Sequence, residues 1–393
     1  MVIGLTEHLV AGQLQYLSDR KYPVYKNTTA QYYPVGEELF QAILEALKQA
    51  KHYIFLEYFI VQKGVMWDAI LEVLKEKEAA GVEVRFIYDD FGSLFKLPTH
   101  YDRKLEAMGI KTQIFNPFIP VLSVVMNNRD HRKILVVDGH TAFTGGINLA
   151  DEYINLHSPF GHWKDTGVKL EGEAVWGLTL MFLNMWNAFR PTDQDLEQFR
   201  PGVWQEEPFA SDGYVIPYAD TPMDNEILAE NVYMNLINGA TDYIYIMTPY
   251  LITDHEMTNA LCLAAKRGVD VQIMTPGIPD KRTVYQLTRS HYPELLDNGV
   301  KIYEYTPGFV HAKNVVSDDK VAAVGTINFD YRSLYLHFEC GTLHYQNAVV
   351  GQVKEDFLKA RKCCRQVSEY GTDRISVIRE VYYAILRLFA PLM

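Results

Sequence analysis

The chain has little cysteine and no cysteine pattern. Cys262, Cys340, Cys363 and Cys364 are its only four in 393 residues. Their spacing fits neither a metal-ligand set nor a disulfide framework, so they read as reduced thiols of a cytoplasm-facing protein. Positive charge is also short. Lys and Arg total 37 against 49 Asp and Glu, a net charge of −12. A surface that neutralises phosphates along a polymer is therefore lacking, which excludes broad nucleic-acid binding. Long apolar runs are missing too. The longest, AVWGLTLMFLNMWNAF over 174–189, carries Thr179, Asn184 and Asn187. It is short for a bilayer span and reads as a buried core helix. No signal peptide is evident at the N-terminus. Hydrophobic residues, at 48%, suffice for two cores. Aromatics, at 13%, exceed what a core needs and suit a groove or a membrane surface.

What the chain does contain is a repeat. The string His-x-Lys-x-x-x-x-Asp occurs as HRKILVVD, with His131, Lys133 and Asp138, and again as HAKNVVSD, with His311, Lys313 and Asp318. Each copy is followed by Gly-x-x-Asn, and the interval to Asn is the same, 131 to 148 and 311 to 328. Self-similarity extends upstream. Residues 50–61 resemble 240–252, 78–90 resemble 264–276, and 107–117 resemble 297–307. Each half reads as strand, helix, strand, helix, strand, then the motif. Short β-branched runs such as VEVRFIY give the strands. Helical spacing in FQAILEALKQAK and in MWDAILEVLKEKEAAG, with Gly81 at the C-terminal cap, gives the helices. The fold class is α/β, with helices on both sheet faces. Residues 191–213 hold prolines and acids without periodicity and read as the crossing between halves 1–205 and 206–393.

Histidine serves as a nucleophile or a general acid near neutral pH. Lysine two residues on shares its face if the motif lies on a strand. Two imidazoles, two ammoniums and two amides, from Asn148 and Asn328, suit a phosphoryl group that develops negative charge, without a metal or other cofactor. One histidine would attack phosphorus and the other protonate the leaving oxygen. A carboxylate would fix each tautomer. Glu339 follows His311 and Asp165 follows His131, so each is assigned to the histidine of its own half. Asp138 and Asp318 fall at odd offsets and read as holders of the following turn. Gly145-Gly146 and Gly325-Thr326 allow close backbone approach to a phosphate, with Thr326 adding a hydroxyl that Gly146 cannot. His140, His157, His162 and His337 read as structural, with substrate contact a lesser option for His162 and His337.

These residues resemble the phospholipase D superfamily, whose mark is this duplicated motif. The strings NNRDHRKILVVDGHTAFTGGINLADEYIN, FGHWKDTGVKLEGEAVW and TPGFVHAKNVVSDDKVAAVGTINFDYRSLYLHFECG, with the closing RLFAPLM, look like bacterial cardiolipin synthases of the Gram-positive type. The resemblance implies two tandem α-β-α sandwich domains about a pseudo-two-fold axis. It implies transfer of a phosphatidyl group between two phosphatidylglycerols, giving cardiolipin and glycerol through a phosphohistidine. The alternative within the superfamily is hydrolysis of phospholipid head groups. His131, Lys133, Asp138, His311, Lys313 and Asp318, with Asn148, Asn328 and Glu339, carry over as the site. The N-terminal histidine becomes the expected attacker. Such enzymes usually begin with membrane-spanning helices, and none occurs in this sequence. The expectation is therefore peripheral attachment to the cytoplasmic side of the membrane, through 117–128 or 380–393.

Overall fold

The computed structural model describes residues 5–117, 127–204 and 208–368, together with Tyr383, Leu386 and Arg387. The strands of the first half are β1 (Thr28–Tyr33), β2 (Tyr53–Tyr58), β3 (Glu83–Asp89), β4 (Lys111–Phe115), β5 (Arg129–Asp130), β6 (Lys133–Val137), β7 (Thr141–Gly145), β8 (His162–Lys164) and β9 (Gly167–Gly172). Those of the second are β10 (Tyr214–Asp220), β11 (Tyr243–Met247), β12 (Leu251–Ile252), β13 (Asp270–Pro276), β14 (Lys301–Tyr305), β15 (Gly308–Val310), β16 (Asn314–Ser317), β17 (Val321–Gly325), β18 (Phe329–Asp330), β19 (His337–Tyr345) and β20 (Cys364–Gln366). The first sheet runs β1-β9-β7-β6-β2-β3-β4 and the second β10-β19-β17-β16-β11-β13-β14-β20. The two orders match strand for strand until β20. This duplicated topology bears out the fold read from the repeat.

Each half uses the same local devices. Helix Val65–Ala79 ends at Gly81, with φ 91°, where Gly81 N–H donates to the Glu78 carbonyl and Val82 N–H to that of Lys77. Helix His255–Lys266 ends at Gly268, with φ 95°, where Gly268 N–H donates to Ala265 and Val269 N–H to Ala264. A positive φ without a Cβ penalty is why glycine stands at both stops. Central strands such as β2, YIFLEY, are buried throughout, as strands covered on both faces must be.

The layers are shared between halves. Helices Gly36–Gln49 and Val65–Ala79 cover the outer face of the first sheet through Leu39, Ile43, Trp67 and Ile70. Helices Leu228–Gly239 and His255–Lys266 cover the outer face of the second. Between the sheets lies one continuous core to which helices Val175–Phe189 and Ala348–Arg361 both contribute. The longest apolar run is thus a core helix of 15 residues. No helix among the described residues is long and apolar enough to cross a membrane. Of the two segments read as membrane contacts, most of 117–128 and of 380–393 lies outside the described residues. Tyr383 and Leu386 pack on Ile252 and Leu287.

Two short ladders cross between halves. β5 pairs in parallel with β19, Arg129 opposite His337 and Asp130 opposite Phe338. β15 pairs in parallel with β8, Gly308 opposite His162 and Val310 opposite Lys164. Each motif histidine leaves one of these ladders: His131 N–H donates to the Phe338 carbonyl and His311 N–H to that of Lys164.

Candidate active site

The shared face of His and Lys supposed a motif lying on a strand. Each motif histidine instead stands just before its strand, β6 or β16, in the extended link from the crossing ladder, and the two strands belong to different sheets. The rings nonetheless line one cavity of about 450 Å³, together with Asn148 and Asn328. The repeat thus brings two half-sites to one space.

The carboxylates are exchanged relative to the sequence reading. His131 Nδ1 lies 2.9 Å from Glu339 of the second half. His311 Nδ1 lies 2.6 Å from Asp165 of the first half. The crossing ladders are the cause. Continuing the β5–β19 register by one residue puts Glu339 opposite His131, and continuing β15–β8 puts Asp165 opposite His311. A carboxylate only accepts, so each Nδ1 carries the proton and each Nε2 holds the lone pair. Burial lowers the His131 pKa well below the ordinary histidine value, and Lys133 and Lys313 lower it further. Burial and Lys313 bring His311 down to about 4 despite Asp165. Burial pushes Asp165 up, but His311 and Lys313 outweigh it and hold the carboxyl low. Two neutral imidazoles therefore face the cavity at pH 7.

Gly146 and Thr326 stand against these carboxylates. A Cβ at Gly146 would sit 2.1 Å from Asp165 Oδ1, so the glycine makes room for that side chain. The Thr326 hydroxyl donates to Glu339, as does the Ser333 hydroxyl at 2.7 Å. The lysines lie beneath the cavity. Lys133 and Lys313 are each 1% exposed, and each ammonium donates to the carbonyl of its own motif histidine. Burial lowers them to about 8 and about 7. Lys133 is among the largest fully buried side chains, a role its spacing in the motif does not reveal. Asp138 and Asp318 stand outside the cavity. Asp138 accepts from the N–H groups of Lys51, His52 and Tyr53 at 2.7, 2.8 and 2.8 Å. Asp318 accepts from Thr241, Asp242 and Tyr243 at 2.8, 3.0 and 2.9 Å. Both sit at positive φ in the hairpin turn, at 50° and 55°. Their structural role stands, but they fasten the turn to the start of β2 or β11 instead of closing the turn on itself.

Asn148 and Asn328 reach the cavity with one donor engaged. Asn148 Nδ2 donates to Tyr153 Oη at 2.8 Å and Asn328 Nδ2 to Asp330 at 2.9 Å. Sequence reasoning passed over Tyr153, Phe59, Trp163, Lys281 and Arg332 in the lining. His337, read first as structural, also lines it, with its ring 5.4 Å from that of His131. Trp163 is its counterpart in the first half, 5.3 Å from His311. Aligning Gly167 with Gly341, the glycines opposite Gly145 and Gly325, would have paired Trp163 with His337 and Asp165 with Glu339. His162 is engaged elsewhere, with Tyr305 Oη at 3.1 Å.

Paired imidazole–carboxylate sets from two sheet domains, meeting at one cavity over buried lysines, define a phosphodiester-handling enzyme. Comparison with known proteins narrows the class. The family model described as cardiolipin synthase, PLD-like domain, matches residues 43–158 and 233–361. Cardiolipin synthase 2 of Bacillus anthracis is 39% identical over 364 residues, covering 91% of this chain and 69% of that protein. An uncharacterized protein of Streptococcus mutans is 50% identical over 373 residues, covering 95% of this chain and 80% of that one. The chain belongs to the cardiolipin synthase family of phospholipase D-like enzymes, in the transferase class. In fold it is similar to the phosphatidylserine synthase of Haemophilus influenzae, with a TM-score of 0.70 at 16% identity over 99% of this chain and 98% of the other.

Proposed function

We propose that the protein transfers a phosphatidyl group from one phosphatidylglycerol to another, forming cardiolipin and releasing glycerol. The observation that carries this reading is the pair of neutral imidazoles at one cavity, each with Nδ1 tied to a buried carboxylate of the opposite half. His131 Nε2 attacks phosphorus, and the bond from phosphorus to the glycerol oxygen breaks. His311 gives its proton to that oxygen. The phosphatidyl group now sits on His131 Nε2. A glycerol hydroxyl of the second lipid then passes its proton to His311 and attacks, and the P–N bond breaks. An anionic phosphodiester in the cavity favours the protonated form of His311 that the first step needs, because it offsets the lysine repulsion. Lys133 and Lys313 stabilise the charge that develops on the phosphoryl oxygens. The halves 1–205 and 206–393 each supply one histidine and its neighbour's carboxylate.

The setting is a membrane surface. Phe91 lines the cavity and is 48% exposed. Phe95, on the next turn of chain, is 95% exposed. Exposed apolar side chains on and beside the cavity wall suit contact with lipid.

Purified protein is incubated with phosphatidylglycerol vesicles, and the lipids are analysed by mass spectrometry. Cardiolipin with equimolar glycerol is the expected product. Phosphatidic acid without cardiolipin would instead make the protein a hydrolase, and an unchanged lipid profile would leave it without this chemistry.

A further inference from the structure

A second cavity, of about 560 Å³, lies against the same crossing ladder that carries His131. Successive residues of an extended strand point to opposite sides. Accordingly His131 and His337 line the active-site cavity, while their neighbours Arg132 and Phe338 line the second. The two spaces are separated by one strand pair. The second is walled chiefly by helix Val175–Phe189, through Leu180, Met181, Met185 and Phe189, with Phe115 of β4 closing one side. Phe115 and Phe338 meet edge to face with centroids 5.4 Å apart. Its volume lies within the range of ligand sites, roughly 300–1,000 Å³.

The chemistry of the lining indicates the ligand. Unbranched, polarisable methionines adapt to flexible chains. Two large apolar side chains on its lining are exposed to solvent, Phe189 at 43% and Met223 at 72%, an arrangement that marks a binding surface. Cations gather there in a chain of net charge −12: Arg20, Lys21 and the buried Arg132. Arg20 is half-exposed and paired with Glu226 at 2.9 Å, whereas Arg132 is neutralised by Glu57 at 2.5 Å and Asp130 at 3.0 Å, which leaves Lys21 and Arg20 as the cations of the rim. The lining contains one acid, Asp220, whose carboxyl burial pushes up to about 7, so its charge opposes an anion only partly at neutral pH. An apolar hollow with Lys21 and the half-exposed Arg20 on its lining fits one chain of an anionic amphiphile.

We propose that this cavity binds one acyl chain of an anionic lipid, at a site separate from the phosphate-transferring cavity. The choice of ligand class rests on the lipid chemistry of the proposed function; the site itself does not. Its occupant touches the strand pair that positions His131 and Glu339.

The probe is a photoactivatable palmitate carrying a mid-chain diazirine, cross-linked below its micelle concentration and mapped by peptide mass spectrometry. Label is expected on the peptide 175–189, both in the unmodified protein and in His131→Ala. It should be lost in Met181→Trp, which fills the hollow, and in Ala188→Trp, which obstructs it from an exposed position and leaves the core untouched. Thermal melting checks that both variants fold. Label confined to peptides of the active-site cavity, no label at all, or label unaffected in folded Ala188→Trp would overturn the proposal. The same preparations are assayed for cardiolipin. Cardiolipin without label on 175–189 defeats this inference alone, and label without cardiolipin defeats the proposed function alone.

Discussion

At the scale of single residues, the exchanged carboxylates have consequences that separate the two chemical steps. Glu339 orients His131, so Glu339→Gln should slow formation of the phosphatidyl-enzyme. Asp165 orients His311, so Asp165→Asn should slow proton transfer to the leaving oxygen. Loss of an orienting carboxylate costs up to about 10⁴-fold in a serine-histidine-aspartate site, and losses on the order of 10² or more are expected here. Rapid-quench kinetics with a substrate bearing an activated leaving group distinguish them. That substrate needs no protonation, so it should rescue Asp165→Asn and leave Glu339→Gln slow. The reverse pattern would exchange the roles assigned to His131 and His311.

The pKa shifts give a pH signature at this scale. Both histidines titrate below their ordinary value of 6.5, His311 at about 4. The folded protein therefore binds fewer protons than the unfolded chain between about 4 and 6.5, and their contribution to stability, full above 6.5, is lost as pH falls towards 4. Lys133 and Lys313 titrate at about 8 and about 7 against an ordinary 10.5. Folding likewise excludes their protons, so their contribution to stability rises with pH from 7 towards 10.5. Activity needs their charge and should fall over the same interval. Turnover and melting temperature should thus diverge on the alkaline side. Turnover that holds constant to pH 10 would show the ammonium charge to be dispensable.

At the scale of elements, Lys133 is both a charge and a packed side chain. Lys133→Met keeps most of its volume and removes the charge, so turnover should fall by on the order of 10²–10³ with the fold retained by circular dichroism. Near-normal turnover would contradict the role given to the ammonium. Asp138 and Asp318 give the opposite separation. Asp138→Ala strands three backbone N–H groups at the start of β2, at roughly 1–3 kcal/mol for each one left buried without a partner. A lower melting temperature with turnover per folded molecule nearly unchanged is expected, and a large loss of turnover at full stability would move Asp138 into the chemistry. Elements were legible wherever a local rule acts. The duplicated glycine stops, the buried core helix over 174–189 and the alternating strands all follow from adjacent residues. The crossing ladders were not legible. β5, β8 and β15 are two or three residues long, too short for a periodic signal, and they pair with strands far away in sequence. For this reason the residue types of the site could be read while the carboxylate partners were crossed. The contacts of Gly146 and Thr326 were hidden for the same reason, since they depend on where Asp165 and Glu339 arrive.

At the scale of the whole molecule, the two halves share a central core and one reaction space, so each half-site is incomplete without the other sheet. On the proposed mechanism, the buried Lys133 and Lys313 supply the charge that a metal would otherwise provide. Turnover should persist in excess chelator when ionic strength is held constant. Complete loss, reversed by one divalent ion, would call for a metal in the site. On the proposed mechanism the halves divide one covalent transfer between them, with His131 as the attacking and then the leaving group. The most direct test of that mechanism is to trap the intermediate in the unmodified protein with a phosphatidyl donor bearing an activated leaving group, quench under mildly basic conditions and map the adduct by peptide mass spectrometry. The account predicts a phosphatidyl group on His131, still formed in His311→Ala and absent in His131→Ala. An adduct on His311, or turnover with no histidine adduct under conditions that preserve phosphohistidine, would contradict it.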